Sequence, residues 1–243
     1  MTWDYGLALL AALCIGLAKA GFSGISLVSV FLLADLYGAK PSIGLALPLL
    51  ILADMMAWPA FRKHGSWRPV WRLLGPALVG IGIGYGLLHT MPDHAARKVI
   101  GGCILLMVVL QAFKKLHPEV TGRWVEMRCF GFSAGVLGGF ATMIANAAGP
   151  VIQLYLNARR VPKMELIGIG ARFFLLINLL KVPLSANLNL INHDSLLENA
   201  RLAPGVVLGV FGGRWLIGHV PQAVFEWMIV GFSVVAALRL LVW

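Results

Sequence analysis

The chain consists of long apolar runs separated by short polar connections. The runs are about 14 to 23 residues long, and a membrane-spanning helix needs about 20 mostly apolar residues. No run alternates apolar and polar residues with a period of two. Because lipid tolerates only helices or closed barrels, we expect every run to be helical. The runs cover residues 5–18, 22–36, 41–60, 69–91, 95–113, 124–138, 139–156, 161–182, 201–219 and 222–242.

The composition indicates that lipid is the main solvent of this chain. Of the 243 residues, 59% are hydrophobic and only 12% are charged, about half the charged fraction of a soluble domain. A water-soluble fold of this size could not bury so much apolar surface. We therefore expect an all-α, polytopic integral membrane protein with about eight to ten membrane segments and no separate soluble domain.

The net charge of +10 does not indicate a nucleic-acid partner, because the chain has no basic domain. The basic residues lie mostly between the apolar runs, which is the positive-inside signal of membrane topology. The three cysteines have no CxxC spacing, and the six histidines show no ligand spacing. We expect neither a disulfide framework nor a metal site, and no cofactor.

The two halves of the chain resemble each other. Residues 64–102 and 193–231 are identical at ten of 39 positions without a gap, where roughly three identities would arise by chance. Near the start of each half, Ala20-Gly21-x-x-Gly24 resembles Ala134-Gly135-x-x-Gly138. This pattern predicts an internal repeat with two copies, 1–116 and 117–243, which together form one transmembrane domain.

Each copy has five apolar runs. If all five runs span the membrane, this odd number gives the second copy the opposite orientation in the membrane. The connection at 62–72 carries four basic residues, whereas 184–200 carries none. Conversely, 159–163 is basic, while the connection at 35–40 has one lysine and one aspartate; Arg97 and Lys98 are an exception near the opposite face. Equivalent connections therefore prefer opposite sides, which predicts inverted-topology repeats.

Glycine clusters interrupt the short runs at the start of each copy, at Gly21-Phe22-Ser23-Gly24 and at Gly135–Gly139. A helix that begins at such a break points free N–H groups and partial positive charge at the midplane, where they suit an anion. Close helix packing is the alternative, and we favour packing for Gly80-x-Gly82-x-Gly84. Inverted repeats with broken helices are typical of secondary transporters.

Four charged residues lie within or at the end of apolar runs. Arg172 lies at the centre of 161–182, so we expect it near the bilayer midplane, as an anion ligand or as a structural ion partner. Asp54 lies in the equivalent run and could pair with Arg172, carry a proton or lie close to the membrane interface. Lys19 precedes the first glycine cluster and could line an anion path or snorkel to the interface; for Lys181 we favour snorkelling.

Three uncharged polar residues, Asn146, Gln153 and Asn178, are either interhelical contacts or substrate contacts. No catalytic residue is expected, and Asp54 is assigned as a coupling or structural partner. The candidate substrate-binding residues are Lys19, Gly21, Ser23, Gly24, Gly138, Gly139, Asn146, Gln153, Arg172 and Asn178.

Over nearly its whole length the chain resembles the TauE/SafE sulfite exporter family, also called the toluene-sulfonate uptake permease family. The resemblance rests on motifs in both halves: Lys19-Ala20-Gly21-Phe22-Ser23-Gly24, Pro48 with Asp54, the basic connection with Trp67, Gly80-x-x-x-Gly84, Gly135-x-x-Gly138-Gly139, Gly149-Pro150-Val151-Ile152, Tyr155-Leu156, Lys163, Arg172 and Asn178. It implies transport of small organosulfur or sulfur-oxyanion solutes.

The leading interpretation is therefore a secondary transporter for a small anion such as sulfite, an exporter in the cell inner membrane. Alternating access would be driven by the anion gradient or coupled to protons. A membrane-embedded enzyme would need paired carboxylates, a His–Asp dyad or a metal cluster at one depth, and the sequence shows none. A non-transporting structural protein would not explain the glycine breaks.

Overall fold

The computed structural model describes residues 2–20, 22–117 and 129–216, and within these residues every regular element is helical. A single 3-10 turn, Ser23–Ile25, lies between the first two helices. The all-α prediction is confirmed, while the run expected at 222–242 and residues 124–128 of the run expected at 124–138 lie outside the described residues. The α-helices are α1 Thr2–Lys19, α2 Ser26–Tyr37, α3 Ala39–Phe61, α4 Trp67–Thr90, α5 Asp93–Leu116, α6 Phe130–Ala145, α7 Gly149–Ala158, α8 Lys163–Asn187 and α9 His193–Leu216.

Several helices have the length and composition of membrane spans. Four of those described are long and apolar enough to cross a bilayer: Ala39–Pro59, Trp67–Thr90, Asp93–Phe113 and Met164–Asn187. Large apolar side chains such as Ile83, Val109 and Leu208 are exposed at 54% to 65%. Such a surface suits lipid rather than water, and the protein is a polytopic membrane protein.

The first helix break lies where the sequence predicts it. Helix α1 ends at Lys19, the 3-10 turn follows, and α2 begins at Ser26. Gly24 lies inside the turn, and Gly21 lies outside the described residues. This break divides the first apolar region of the chain into two short helices.

The second break is not at Gly135–Gly139, so that prediction is wrong. Helix α6 runs through this cluster without interruption and ends at Ala145. The chain breaks at Asn146, whose φ of 51° is left-handed, and α7 begins at Gly149. The glycines instead permit close packing, because a side chain at Gly139 would collide with the backbone of Ala77 on α4.

The helix contacts are reciprocal between the two halves. Helix α6 packs closely on α4, and α1 packs closely on α9. A side chain at Gly80 of α4 would meet the backbone of Val136 on α6, and one at Gly209 of α9 would meet the backbone of Leu13 on α1. The first helix of each half thus packs on the fourth helix of the other half.

Helices α3 and α8 also contact each other reciprocally. Gly44 of α3 touches the backbone of Leu190, which follows α8, and Gly168 of α8 touches the backbone of His64, which follows α3. Reciprocal contacts of this kind characterise a two-fold relation. Asp54 and Asn178 have the same sequence separation as Gly44 and Gly168, so they occupy equivalent positions on α3 and α8. Because these two equivalent residues are hydrogen-bonded to each other, they lie where the two helices cross.

Candidate functional site

Both helix breaks border one cavity, which we call the central cavity. Lys19 ends α1 and Ser26 begins α2, while Asn146 follows α6 and Gly149 begins α7. Side chains from α3 and α8 complete the wall. The lining consists of Ala18, Lys19, Ser26, Leu50, Thr142, Asn146, Gly149, Phe174 and Asn178.

The starts of α2 and α7 give the central cavity positive potential. The dipole of a helix places partial positive charge at its N-terminal end. Ser26 and Gly149 are the first residues of these helices, which have 12 and 10 residues, and both line the cavity. Two helix N-termini therefore converge on the same space.

Lys19 contributes a full positive charge at the same place. Its Nζ lies 2.8 Å from Oδ1 of Asp54, and the carboxylate is fully buried while Lys19 retains 12% exposure. The Lys19 ammonium also lies 4.4 Å from the centroid of the Phe174 ring. Asn178 donates from Nδ2 to the other Asp54 oxygen at 2.8 Å. Asp54 thus contacts Lys19 from α1 and Asn178 from α8, and does not pair with Arg172.

A second polar cluster surrounds Lys181, which is fully buried. Its Nζ donates to the Thr142 carbonyl at 2.6 Å, to the Thr142 hydroxyl at 3.2 Å and to Oδ1 of Asn146 at 2.6 Å. Asn146 in turn donates from Nδ2 to the Ile43 carbonyl at 3.0 Å. This cluster connects the second break to α8 and α3. The expectation that Lys181 snorkels to the interface is wrong.

A second cavity, which we call the side cavity, adjoins the central one. Ala18, Lys19 and Phe174 line both cavities. The side cavity also includes Asp54 and Gln153, and its remaining lining comes from α3, α7 and α8: Ala57, Ile152, Leu156, Leu166, Ile167, Gly170 and Ala171. Lys19 is therefore the charged group that both cavities share.

Arg172 lines neither of these cavities, although it occupies the centre of its apolar run. Its guanidinium donates to the carbonyls of Arg62 at 2.5 Å, His64 at 2.6 Å and Gly168 at 3.0 Å, and lies 5.5 Å from the Trp67 ring. Because α3 ends at Phe61, Arg172 lies at the level of the α3–α4 connection. The carbonyl groups at this helix end thus gain a charge-assisted hydrogen-bond donor.

The other candidate residues are divided between the cavities and the helix packing. Asn146 and Asn178 line the central cavity, and Gln153 lines the side cavity. Gly138 and Gly139 lie within the continuous helix α6, with Gly138 facing Ile152 and Gly139 facing α4. Ser23 and Gly24 belong to the 3-10 turn at the first break.

Sequence reasoning did not identify Lys181 and Thr142 as parts of the polar centre. A helical spacing of three places Lys181 on the same face of α8 as Asn178, and this pair in an apolar run was the available signal. Thr142 gave no comparable signal, because threonine occurs commonly in membrane helices and its role depends on where α6 ends.

A comparison with known families identifies the chain. The model of the family described as sulfite exporter TauE/SafE matches residues 8–240. The chain belongs to this family. No curated protein and no solved structure matches it. The family indicates membrane transport of sulfur anions.

Proposed function

We propose that the chain exports a small sulfur oxyanion or organosulfonate, such as sulfite, across the cell inner membrane by alternating access. The observation that carries the proposal is the convergence of Ser26, Gly149 and Lys19 on one cavity. Helix N-termini and ammonium groups bind oxyanions in proteins. The TauE/SafE match supports the sulfur chemistry of the solute.

Lys19 is the charged side chain that the central cavity offers to an anion. Its partner in the described conformation is the single carboxylate of Asp54. Lys181 does not line this cavity, and its three oxygen contacts hold it within the second polar cluster. An anion that binds Lys19 would therefore replace Asp54 at the ammonium or share the ammonium with it.

Alternating access would follow from two inverted repeats, 1–116 and 117–243. The reciprocal packing of α1 on α9 and α6 on α4 supports this division. The α3–α8 crossing at Asp54 and Asn178 lies beside the central cavity. In transporters built this way, one half moves against the other around a fixed site, so the cavity would open to each side in turn.

The two approaches to the central cavity differ in the described conformation. The side cavity extends along α7 and α8 towards the basic connection that contains Arg159 and Arg160. On the opposite face, α2, α3 and α9 surround a vestibule that includes Tyr37 and Glu198. The Asn146–Ile43 hydrogen bond and the contact of Leu190 with Gly44 stand between this vestibule and the central cavity. We propose that the anion enters from the basic side.

Asp54 is the residue through which protons would be coupled to transport. Its carboxylate holds Lys19 at 2.8 Å, so it competes with the anion for the same ammonium. Protonation of Asp54 would release Lys19 to the anion, and the anion gradient alone would drive transport if no such step occurred. An imposed pH gradient without a membrane potential distinguishes these cases for an anion that does not titrate near neutral pH, because only coupled transport would then accumulate this anion against its own gradient.

The test of the proposed function is anion flux through the purified protein in liposomes. We expect flux of sulfite, or of another member of a panel of sulfate, thiosulfate and methanesulfonate. Lys19→Met should abolish this flux, and Lys63→Met, which changes an exposed lysine on the α3–α4 connection, should leave it unchanged. Absence of flux for the whole panel, or full flux in Lys19→Met, would contradict the proposal.

A further inference from the structure

The side-chain amide of Asn178 has a fixed orientation. The residue is buried, with 1% exposure, and lines the central cavity. Its Nδ2 donates to Oδ2 of Asp54 at 2.8 Å. Rotation of the amide by half a turn would place a carbonyl oxygen against this carboxylate, where two acceptors repel each other. The Oδ1 atom therefore points away from Asp54.

Oδ1 of Asn178 has no hydrogen-bond partner in the part of the chain that the structure describes. Two of the nearby donors are already engaged: Nδ2 of Asn146 donates to the Ile43 carbonyl, and Lys181 donates to three oxygen atoms. Buried polar atoms are almost always paired. An unpaired acceptor on a residue that lines a cavity marks a place where a donor on the bound molecule would complete the pairing.

We infer that the transported anion carries a hydrogen-bond donor of its own, and that Asn178 Oδ1 accepts this hydrogen bond. The inference rests on the proposed function and narrows its substrate class. Lys19 and the N-termini of α2 and α7 bind the anionic oxygen atoms, while Asn178 binds an O–H or N–H group. The substrate is a hydrogen oxyanion such as hydrogensulfite, or an organic sulfonate with an amino or hydroxyl group.

This arrangement discriminates by leaving a polar atom unpaired when the wrong anion binds. A site built to bond a hydroxyl or amino group rejects an analogue that lacks the group, because the buried acceptor then loses solvent without gaining a partner. A fully deprotonated dianion such as sulfate presents only acceptors to Asn178 Oδ1.

Sulfamate and methanesulfonate provide the test, because they are monoanions of nearly equal shape that carry NH2 and CH3 respectively. Each is added as an inhibitor of labelled sulfite flux in liposomes that contain the full chain. We expect half-inhibition by sulfamate at a concentration about tenfold lower than by methanesulfonate, equivalent to about 1.4 kcal/mol. Asn178→Leu should bring the ratio of these two concentrations close to one.

Asn199→Leu is the matched control, because Asn199 is a buried amide on α9 that does not line the central cavity and has no bonded side-chain atom among the described residues. It should leave the ratio unchanged.

Equal inhibition in the unmodified protein, or an unchanged ratio in Asn178→Leu, would overturn the inference while sulfite flux itself upholds the proposed function. If Asn178→Leu does not fold, the ratio in the unmodified protein decides. Absence of flux for sulfite and for the rest of the anion panel would overturn both.

Discussion

Nζ of Lys19 lies 2.8 Å from Oδ1 of Asp54 and connects the last residue of α1 to the middle of α3. Because Asp54 is fully buried, removal of Lys19 leaves a carboxylate without its ion partner. We expect Lys19→Met to destabilise the protein by about 3–5 kcal/mol and to abolish anion flux. Unfolding in detergent and flux in liposomes measure the two effects separately.

The double variant Lys19→Met with Asp54→Asn separates folding from transport. Neutralising Asp54 removes the unpaired charge, so most of the lost stability should return. Flux should remain absent, because the ammonium that binds the anion is still missing. Recovery of flux in the double variant would show that Lys19 serves only to neutralise Asp54.

Arg172 is expected to act on stability rather than on transport. Arg172→Gln removes charge-assisted hydrogen bonds to the carbonyls of Arg62 and His64, and we expect a loss of about 2–4 kcal/mol. Arg172→Lys should restore only part of this, because a point charge lacks the planar fork of donors. The flux per folded molecule should stay close to normal; a stable Arg172→Gln protein without flux would instead support the anion-ligand role.

The sequence predicts the helical class and the first break, and it misplaces the second break by about two helical turns. Glycine clusters mark both breaks and close packing, and the alignment of Ala20-Gly21 with Ala134-Gly135 does not distinguish them. The contacts of Gly139 with Ala77 show that it belongs to a packing seam. Asn146 is a better marker, since asparagine tolerates the left-handed conformation in which α6 ends.

The polar centre is predicted only in part, because depth along an apolar run does not determine what a side chain meets. Arg172 occupies the middle of its run, but α8 is displaced so that Arg172 reaches the end of α3. Lys181 lies near the end of the same run but reaches the second break. The relative shift of α3 and α8, which the sequence does not encode locally, decides both positions.

The packing seam gives a prediction with a matched pair of glycines. A methyl group at Gly139 would collide with the Ala77 backbone, whereas one at Gly82 meets nothing within 4 Å. We expect Gly139→Ala to lower the free energy of unfolding by about 1–3 kcal/mol through overpacking, and Gly82→Ala to leave it unchanged or raise it slightly. Chemical unfolding in detergent measures both. Equal stability of the two variants would contradict the assigned seam.

The inverted arrangement predicts that Lys63 and His193 face opposite sides of the membrane. Both are exposed in connections or at helix ends, and basic residues around Lys63 place it inside. For this experiment the exposed cysteine, Cys129, is first replaced by serine. An impermeant thiol reagent should then label His193→Cys in intact cells. Lys63→Cys should react only after permeabilisation. Labelling of both from the same side would contradict the inverted repeats.

The central claim is that the anion binds between the N-termini of α2 and α7 beside Lys19. Selenite, a close chemical analogue of sulfite, allows direct location by the anomalous scattering of selenium in crystals of the protein. We predict one selenium peak in the central cavity, with an anion oxygen about 2.8 Å from Lys19 Nζ, and no such peak in crystals of Lys19→Met. A selenium peak beside Arg172 with an empty central cavity would contradict the account.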